Sequence, residues 1–174
     1  LRSQALQKSS RWRVSICVVD VWLVRAPPNQ DSPRHRCMDY CGIIPKDLAV
    51  GALWPQIGAL IASAIVYGRG EYTLADIRDG IERGQMFAVG CVNEAGEVEF
   101  VVTCTVVTFP RKEVLYIQYG AGRGGIRAKD ALIAAAKTLG CDWIETRCRE
   151  SVARLYRRAG FEIGYSVCIL EVPQ

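Results

Sequence analysis

Four of the six residues from Gly120 to Gly125 are glycine, and they join a predicted strand, Val114–Gln118, to a predicted helix. Glycine permits tight turns, and backbone amides at a helix N-terminus point toward an anion such as phosphate. Arg123 and Arg127 add cationic partners for phosphate oxygens. The stretch is therefore either an anion-binding loop or a flexible turn. Walker and Rossmann patterns do not match, because no Gly-Lys-Ser/Thr is present and the glycines come late in the chain.

Two helical patterns precede this stretch. Pro55 suits a first helical position, because its missing N–H has no helical partner there, and apolar residues then recur at helical spacing to Ile65. Thr73 and Asp76 have the spacing of a capping box, and Gly84 is well placed to end that second helix.

Strand patterns then take over. Met86–Val92, Val98–Phe109 and Val114–Gln118 are separated by short turns, which predicts an antiparallel meander. The remaining predicted elements are a helix from Ile126 that stops at Gly140, the strand Trp143–Cys148, the helix Ser151–Ala159 and the strand Ile163–Val172. The predicted order is ααβββαβαβ, an α/β (α+β) fold with a mixed, mainly antiparallel sheet flanked by helices.

The 20 residues Leu48–Tyr67 form an uncharged run, and a helix of this length could span a membrane. Pro55, two glycines, Gln56 and Ser63 interrupt the run, and no basic cluster flanks it. A buried helix beginning near Pro55 is the favoured alternative, so no membrane association is expected.

The basic character of the chain lies in its first 37 residues. They contain seven Lys or Arg and two Asp, a net +5, so the rest of the chain nets −1 within the total of +4. A nearly neutral domain lacks the excess of basic residues that is typical of nucleic-acid-binding domains. The arm itself could still contact phosphates, although a solvated tail is the favoured interpretation.

Residues 1–37 do not resemble a domain. Their apolar run Val14–Val24 is interrupted by Asp20 and followed by a Pro-rich linker, and no small-x-small cleavage site follows. Met38 is a plausible natural start, so the arm could be upstream translation or cloning sequence. We expect a disordered or non-native basic arm over 1–37 and one domain over 38–174.

The positions of the cysteines and of the single histidine exclude several kinds of catalytic and metal site. No Cys-x-x-Cys pair occurs among eight cysteines, and Cys91, Cys104, Cys148 and Cys168 fall in apolar strand-like runs, which predicts buried free thiols. A disulfide scaffold is a less favoured alternative, and free thiols predict a reducing, cytoplasmic location.

His35 lies in the arm, so the domain has no Ser-His-Asp triad and no histidine metal site, and we expect no metal.

The element order, the glycine stretch and the segment Arg149–Phe161 together resemble the GCN5-related N-acetyltransferases over about 120 residues. In that family, a loop of the type Gln/Arg-x-x-Gly-x-Gly/Ala cradles the pyrophosphate of acetyl-CoA, which serves as substrate. Here Arg123-Gly124-Gly125-Ile126-Arg127 is one residue short of the usual pattern. The resemblance implies these cofactor-binding residues: Ile117, Gln118, Tyr119, Gly120, Gly122, Arg123, Gly124, Gly125, Ile126, Arg127 and Arg149.

Leu155-Tyr156 and Gly160-Phe161 match the spacing of the family motif, whereas Arg149 stands where asparagine is usual. The resemblance implies that Tyr156 lies near the thioester sulfur and protonates the departing thiolate. The alternative is an ordinary half-buried helix tyrosine.

An attacking amine must lose a proton, and a carboxylate usually accepts it, directly or through water. Glu145 and Glu113 are the candidate bases, and each could equally be a solvated or edge carboxylate. A backbone N–H near Ile117–Tyr119, where two strands splay, is expected to hold the oxyanion.

The chain also resembles small acetyltransferase-like proteins carried by phages and prophages, through Trp54-Pro55, Thr73–Ile77 and Phe109–Lys112. The expected activity is acetyl transfer from acetyl-CoA to an unidentified small-molecule or protein amine. The alternative is an inactive relative that acts as a binding or virion-associated component. The sequence leaves open a homodimer through the sheet edge or the apolar helix, and the neutral domain disfavours a nucleic-acid partner.

Overall fold

The computed structural model describes residues 40–123 and 128–164. Its sheet contains five strands in chain order: β1 Tyr40–Ile44, β2 Phe87–Val92, β3 Val98–Phe109, β4 Lys112–Gly122 and β5 Trp143–Thr146. Neighbouring strands from β1 to β4 are antiparallel, and β5 is parallel to β4. The predicted meander and the mixed, mainly antiparallel α+β architecture are confirmed.

Five helices cover the two faces of this sheet: α1 Lys46–Val50, α2 Trp54–Ile65, α3 Leu74–Glu82, α4 Lys129–Thr138 and α5 Glu150–Arg158. One apolar cluster joins α1, α2 and α3 to one face, and a second joins α4 and the aromatic side chains around α5 to the other. A parallel β4–β5 pair requires a crossover, and α4 provides it.

The helix starts follow the local sequence. Pro55 lies in the first turn of α2, and Ile57 and Ile61 are fully buried. Thr73 and Asp76 form the predicted capping box of α3, with the Asp76 N–H donating to Thr73 Oγ1 and the Thr73 N–H donating to Asp76 Oδ2. The uncharged run that could have spanned a membrane is divided between α1 and α2. Within the described ranges, no helix is long and apolar enough to cross a bilayer.

Two elements of the fold were missed. The edge strand β1 and the short α1 precede the first predicted helix. β1 is short and contains Gly42, and it forms because every residue pairs with β2, which lies far along the chain. The predicted last strand begins at Ile163, but residues 161–164 form no strand, and the rest of that segment lies outside the described residues.

The cysteine prediction is partly wrong. Cys91 is bonded to Cys41, directly opposite it on β1, so it is not a free thiol. Cys148 is free but exposed, because β5 ends at Thr146 rather than continuing to it. Cys104 is free and buried, as expected, whereas Cys168 lies outside the described residues. Burial raises the pKa of the Cys104 thiol, which is the behaviour of a core residue rather than a nucleophile.

Candidate functional site at the parting of β4 and β5

The candidate site lies where β4 and β5 part. Their pairing runs from Val114 opposite Trp143 to Ile117 opposite Thr146, where β5 ends. β4 continues to Gly122, paired only with β3 among the described strands. Beyond Ile117, therefore, one edge of β4 has no strand partner within the described ranges. Backbone amides on such an edge can bind an extended polar ligand.

A β-bulge marks the same point. Tyr119 pairs with Thr103 and Ile117 with Cys104, so Gln118 is the extra residue of β4. Bulges turn a strand and re-aim its side chains, and they are common beside active sites. The Gln118 side chain donates from Nε2 to the Tyr72 hydroxyl at 3.1 Å, while its Oε1 is buried and has no hydrogen-bond partner among the described residues.

Thr146 holds the two strands together at their last shared pair. Its hydroxyl donates to the Ile117 carbonyl oxygen at 3.2 Å. The Thr146 side chain also lies close enough to the Tyr156 phenol to lower its pKa. The phenol of α5 therefore lies near the backbone where the strands part. Nothing in the local sequence indicated Thr146, because its role depends on where β5 ends.

Tyr156 is partly buried against the α4-side cluster, and its ring meets Phe161 edge to face with centroids 5.0 Å apart. Burial raises the pKa of the Tyr156 phenol, an effect that the Thr146 side chain partly offsets. The group therefore remains protonated at neutral pH and can donate a proton.

Grooves border this point on each side of the sheet. On the α5 side, a groove of about 680 Å³ runs along β5, with Thr146, Cys148 and Tyr156 in its wall. On the α3 side, a groove of about 1080 Å³ is lined in part by Tyr116 and Gln118. The parting of the strands thus lies between two accessible surfaces.

The α2–α3 connection covers the α3 side of the parting. The Tyr67 ring lies against the Arg149 guanidinium, with Cζ 3.7 Å from the ring centroid. Gly68 presses on Tyr119, since a Cβ at Gly68 would lie 2.7 Å from the Tyr119 hydroxyl oxygen. Tyr72 meets the same Tyr119 ring edge to face at 6.3 Å. The connection is therefore fixed to β4 and to the start of α5.

Charged groups also surround the mouth of the site. The Arg147 guanidinium lies 5.8 Å from the Tyr116 ring centroid. Burial raises the pKa of Tyr116, and Arg147 counteracts this rise. Backbone hydrogen bonds, including one from the Arg69 N–H at 2.6 Å, lower the pKa of Glu71 and keep it ionised. The Arg147 guanidinium and the Glu71 carboxylate therefore place both a positive and a negative charge near the candidate site.

The two candidate bases lie at different ends of the strand pair. Glu145 is opposite Tyr116 in the parallel register, one position before the parting. Glu113 accepts from the Thr108 hydroxyl at 2.8 Å, near the start of β4. Four residues of strand, about 13 Å, separate Glu113 from Ile117. The structure therefore brings Glu145, but not Glu113, to the site.

The glycine stretch is only partly a loop. Gly120 and Gly122 belong to β4, paired with Val102 and Phe100, which corrects the expectation of a turn there. Gly122 has a φ of +105°, and a Cβ would lie 2.3 Å from the Glu99 carbonyl oxygen, so no other residue fits without movement. The predicted ligands Gly124, Gly125, Ile126 and Arg127 lie outside the described residues.

The two predicted arginine ligands differ in position. Arg123 is exposed just beyond β4, and its N–H donates to the Glu99 carbonyl oxygen at 2.7 Å. Arg149 is the N-cap of α5 and stacks on Tyr67. Lys129, which the sequence did not single out, begins α4 and approaches Gly160, where a Cβ would lie 2.9 Å from Nζ. Within the described ranges, no three His, Cys, Asp or Glu side chains form a metal-binding group.

The solved structures that share this fold include acetyltransferases. An aminoglycoside N-acetyltransferase, AAC(6')-Iy, in complex with CoA matches with a TM-score of 0.60 and 13% identity, over 81% of this chain and 98% of its own. An aminoglycoside acetyltransferase from an uncultured soil metagenomic sample matches with a TM-score of 0.58 and 12% identity, over 78% of this chain and 95% of its own. Glucosamine-6-phosphate N-acetyltransferase from Arabidopsis thaliana matches with a TM-score of 0.51 and 14% identity, over 71% of this chain and 92% of its own.

At these identities the likeness establishes a shared fold. No protein-family model and no curated protein matches the sequence. The fold predicted from the sequence is thus the fold of these acetyltransferases. The resemblance to phage-borne proteins and the cytoplasmic location stay predictions.

Proposed function

We propose that this chain is an acyl-CoA-dependent N-acetyltransferase that moves an acetyl group from acetyl-CoA to a small-molecule or protein amine. One observation carries the proposal: the edge of β4 beyond Ile117, which has no strand partner among the described residues, lies near a protonated, partly buried Tyr156. The fold shared with acetyltransferases, one of which is in complex with CoA, supports it. Acetyl-CoA supplies an activated thioester, and the amine displaces its thiol.

The residues at the parting fit such a donor. Backbone N–H groups of Gln118 and Tyr119 lie at the bulge, where they would hold the amides of an extended chain or the developing oxyanion. The buried Gln118 Oε1, without a hydrogen-bond partner in the part of the chain that the structure describes, would offer a further acceptor. Arg123, with its cationic side chain just beyond β4, would contact the pyrophosphate together with the predicted residues Gly124–Arg127.

Tyr156 would supply the proton that the leaving sulfur needs. As the new N–C bond forms and the C–S bond breaks, the phenolic proton passes to the thiolate. The edge-to-face contact with Phe161 would orient the Tyr156 ring. The raised pKa of Tyr156 keeps the phenol protonated before transfer.

Glu145 would accept the proton that the amine loses, directly or through water. Its place opposite Tyr116, on the strand that ends at the parting, supports this role. The amine would approach along the α3-side groove past Tyr116 and Gln118. Glu113 is not included, because it lies at the far end of β4.

Calorimetry with acetyl-CoA tests the proposal on the wild type, Arg123→Ala and Arg111→Ala. Arg111 lies in the β3–β4 turn at the opposite end of β4, so it is a matched control. We expect micromolar binding that Arg123→Ala weakens by roughly tenfold, the effect of one charge-assisted contact, and that Arg111→Ala leaves unchanged.

An absence of heat with millimolar acetyl-CoA would refute acyl transfer and indicate a non-catalytic binding protein. Equal losses in both arginine variants would instead show general electrostatic attraction and contradict the assignment of Arg123. Where binding is found, CoA release in the presence of a panel of amines identifies the acceptor.

A further inference from the structure

The wall of the α3-side groove carries more negative than positive charge. Its charged lining residues are three carboxylates and one guanidinium: Glu71, Asp76, Asp79 and Arg83. Arg83 pairs with Asp79 at 3.3 Å, so no other lining residue balances the charges of Glu71 and Asp76. A groove lined by charge of one sign attracts a ligand of the opposite sign. The groove therefore favours a cation.

The carboxylates are distributed along the groove. Asp76, Asp79 and Arg83 are spaced three and four residues apart on α3, so they share one face of that helix over about 10 Å. The hydrogen bond with the Thr73 side chain lowers the pKa of Asp76 and keeps it ionised. Glu71 lies before the helix and is also ionised. This distribution suits an elongated ligand rather than a single small ion.

Glu71 lies at the end of the groove that borders the parting of the strands. Burial is the main cause of the raised pKa of Tyr116, and the negative charge of Glu71 adds to it, so the two side chains are close together. Tyr116 precedes Ile117, where the strands part. Tyr72 accepts the hydrogen bond from Gln118 at the bulge. Glu71, Tyr72, Tyr116 and Gln118 thus line the same end of the groove.

The groups at this end suit an ammonium ion. A carboxylate beside tyrosine rings attracts a cation, and the Arg147 guanidinium already lies 5.8 Å from the Tyr116 ring centroid. The buried Gln118 Oε1, which has no partner within the described ranges, would be satisfied by an N–H donor. Arg69 and Arg147 are also near Glu71, but neither lines the groove, so the wall keeps its excess of negative charge.

Building on the proposed acyl transfer, we propose that the acceptor is an aliphatic amine with a second positive charge, and that Glu71 binds this second charge in the α3-side groove. The nitrogen that attacks the thioester must be neutral, so a carboxylate that attracts cations serves the nitrogen that does not react. Glu71 is then a residue that sets specificity for diamines. Asp79, farther along the groove, extends the preference to longer polyamines.

Three amines with the same four-carbon chain test this inference: 1,4-diaminobutane, butylamine and 4-aminobutanoate, which carry two, one and no net positive charges at neutral pH. Ligand-observed NMR titration of the whole chain gives a Kd for each. Glu71→Gln and Asp79→Asn remove one groove charge each and keep the shape of the side chain. Glu82→Gln is the matched control, because Glu82 is an exposed carboxylate of α3 that does not line the groove.

We expect the wild type to bind 1,4-diaminobutane at least about fivefold more tightly than butylamine, and 4-aminobutanoate least tightly. Glu71→Gln should reduce the preference for the diamine by about two- to fivefold, and Asp79→Asn should reduce it in the same direction. Glu82→Gln should leave it unchanged. Raising NaCl from about 0.05 M to about 0.5 M should weaken it, because salt screens exposed charges.

Equal Kd values for 1,4-diaminobutane and butylamine would overturn this inference. So would an unchanged preference in Glu71→Gln protein whose circular dichroism and Tm match those of the wild type. Either result, in a protein that binds acetyl-CoA by calorimetry, leaves the proposed function in place. A protein that binds the diamine through Glu71 but binds no acetyl-CoA would keep the cation groove and overturn acyl transfer, so the two failures are distinguishable.

Discussion

The Thr146 hydroxyl donates to the Ile117 carbonyl oxygen at the last residue pair that β4 and β5 share, with 3.2 Å between the two oxygens. Ile117 is almost fully buried, so its carbonyl has little access to water. The hydrogen bond therefore fixes the point at which β5 ends while β4 continues paired with β3, and with it the position of the site.

Thr146→Val should lower the free energy of unfolding by about 1 kcal/mol, because a side chain of similar shape leaves the buried carbonyl with one donor fewer. Thr146→Ser should retain most of the stability, since it keeps the hydroxyl. Urea unfolding measures both. Thr108→Val is the control, because its hydroxyl bonds to Glu113 at the surface. A loss in Thr108→Val as large as that in Thr146→Val would contradict this account.

Tyr156→Phe should lower kcat by about 10²–10⁴-fold if the phenol is the general acid, with a smaller effect on KM. Burial raises the Tyr156 pKa above its ordinary value of about 10, so the phenol stays protonated below that pH. The wild-type rate should not decline from loss of this proton until pH rises above about 10.

The same pKa shift has a consequence for stability. A raised folded-state pKa favours the neutral phenol, so its stabilisation is complete below about pH 10 and is lost as pH rises through the folded value. Urea unfolding from pH 8 to 11 should show a steeper alkaline loss in the wild type than in Tyr156→Phe. For the kinetic prediction, an equal kcat in the wild type and in Tyr156→Phe would show that Tyr156 is not the general acid and is an ordinary helix tyrosine.

Cys41→Ser should reduce the free energy of unfolding by about 2–4 kcal/mol under non-reducing conditions. The Cys41–Cys91 bond closes a loop of 50 residues and joins the edge strand β1 to β2. A reductant should lower the wild type to the level of the variant and leave the variant unchanged.

Cys148→Ser is the control for this experiment, since Cys148 is free and exposed and should contribute little. Alkylation of the folded, unreduced protein followed by mass mapping gives an independent readout. Labelling of both Cys41 and Cys91 in that sample would show that the bond is not formed.

Elements governed by local contacts were predictable from the sequence. The capping box of α3 needs only Thr73 and Asp76, three residues apart, and it is present. The strand β3, Val98–Phe109, has the predicted bounds, because a β-branched run with turns at both ends has few alternatives. Tyr156 was predicted at the site only through the resemblance, and its partly buried position is compatible with that role.

Features that depend on pairing were not predictable. β1 was not predicted, and it forms through the ladder to β2, which lies more than 40 residues along the chain and satisfies its backbone groups. The glycine pattern predicts a loop at Gly120 and Gly122, since glycine is typical of turns, but both residues pair with β3. At Gly122 the close approach of β3 requires glycine, because a Cβ there would lie 2.3 Å from the Glu99 carbonyl oxygen.

The sequence by itself determined the starts of α2 and α3 and the antiparallel meander, since periodicity and capping act over a few residues. Only the tertiary structure decided where β5 ends, which side chains meet there, and that Tyr67 stacks on Arg149. These contacts join residues far apart in the chain, and their energies appear only after the sheet has formed. Local propensity therefore carries no signal for them.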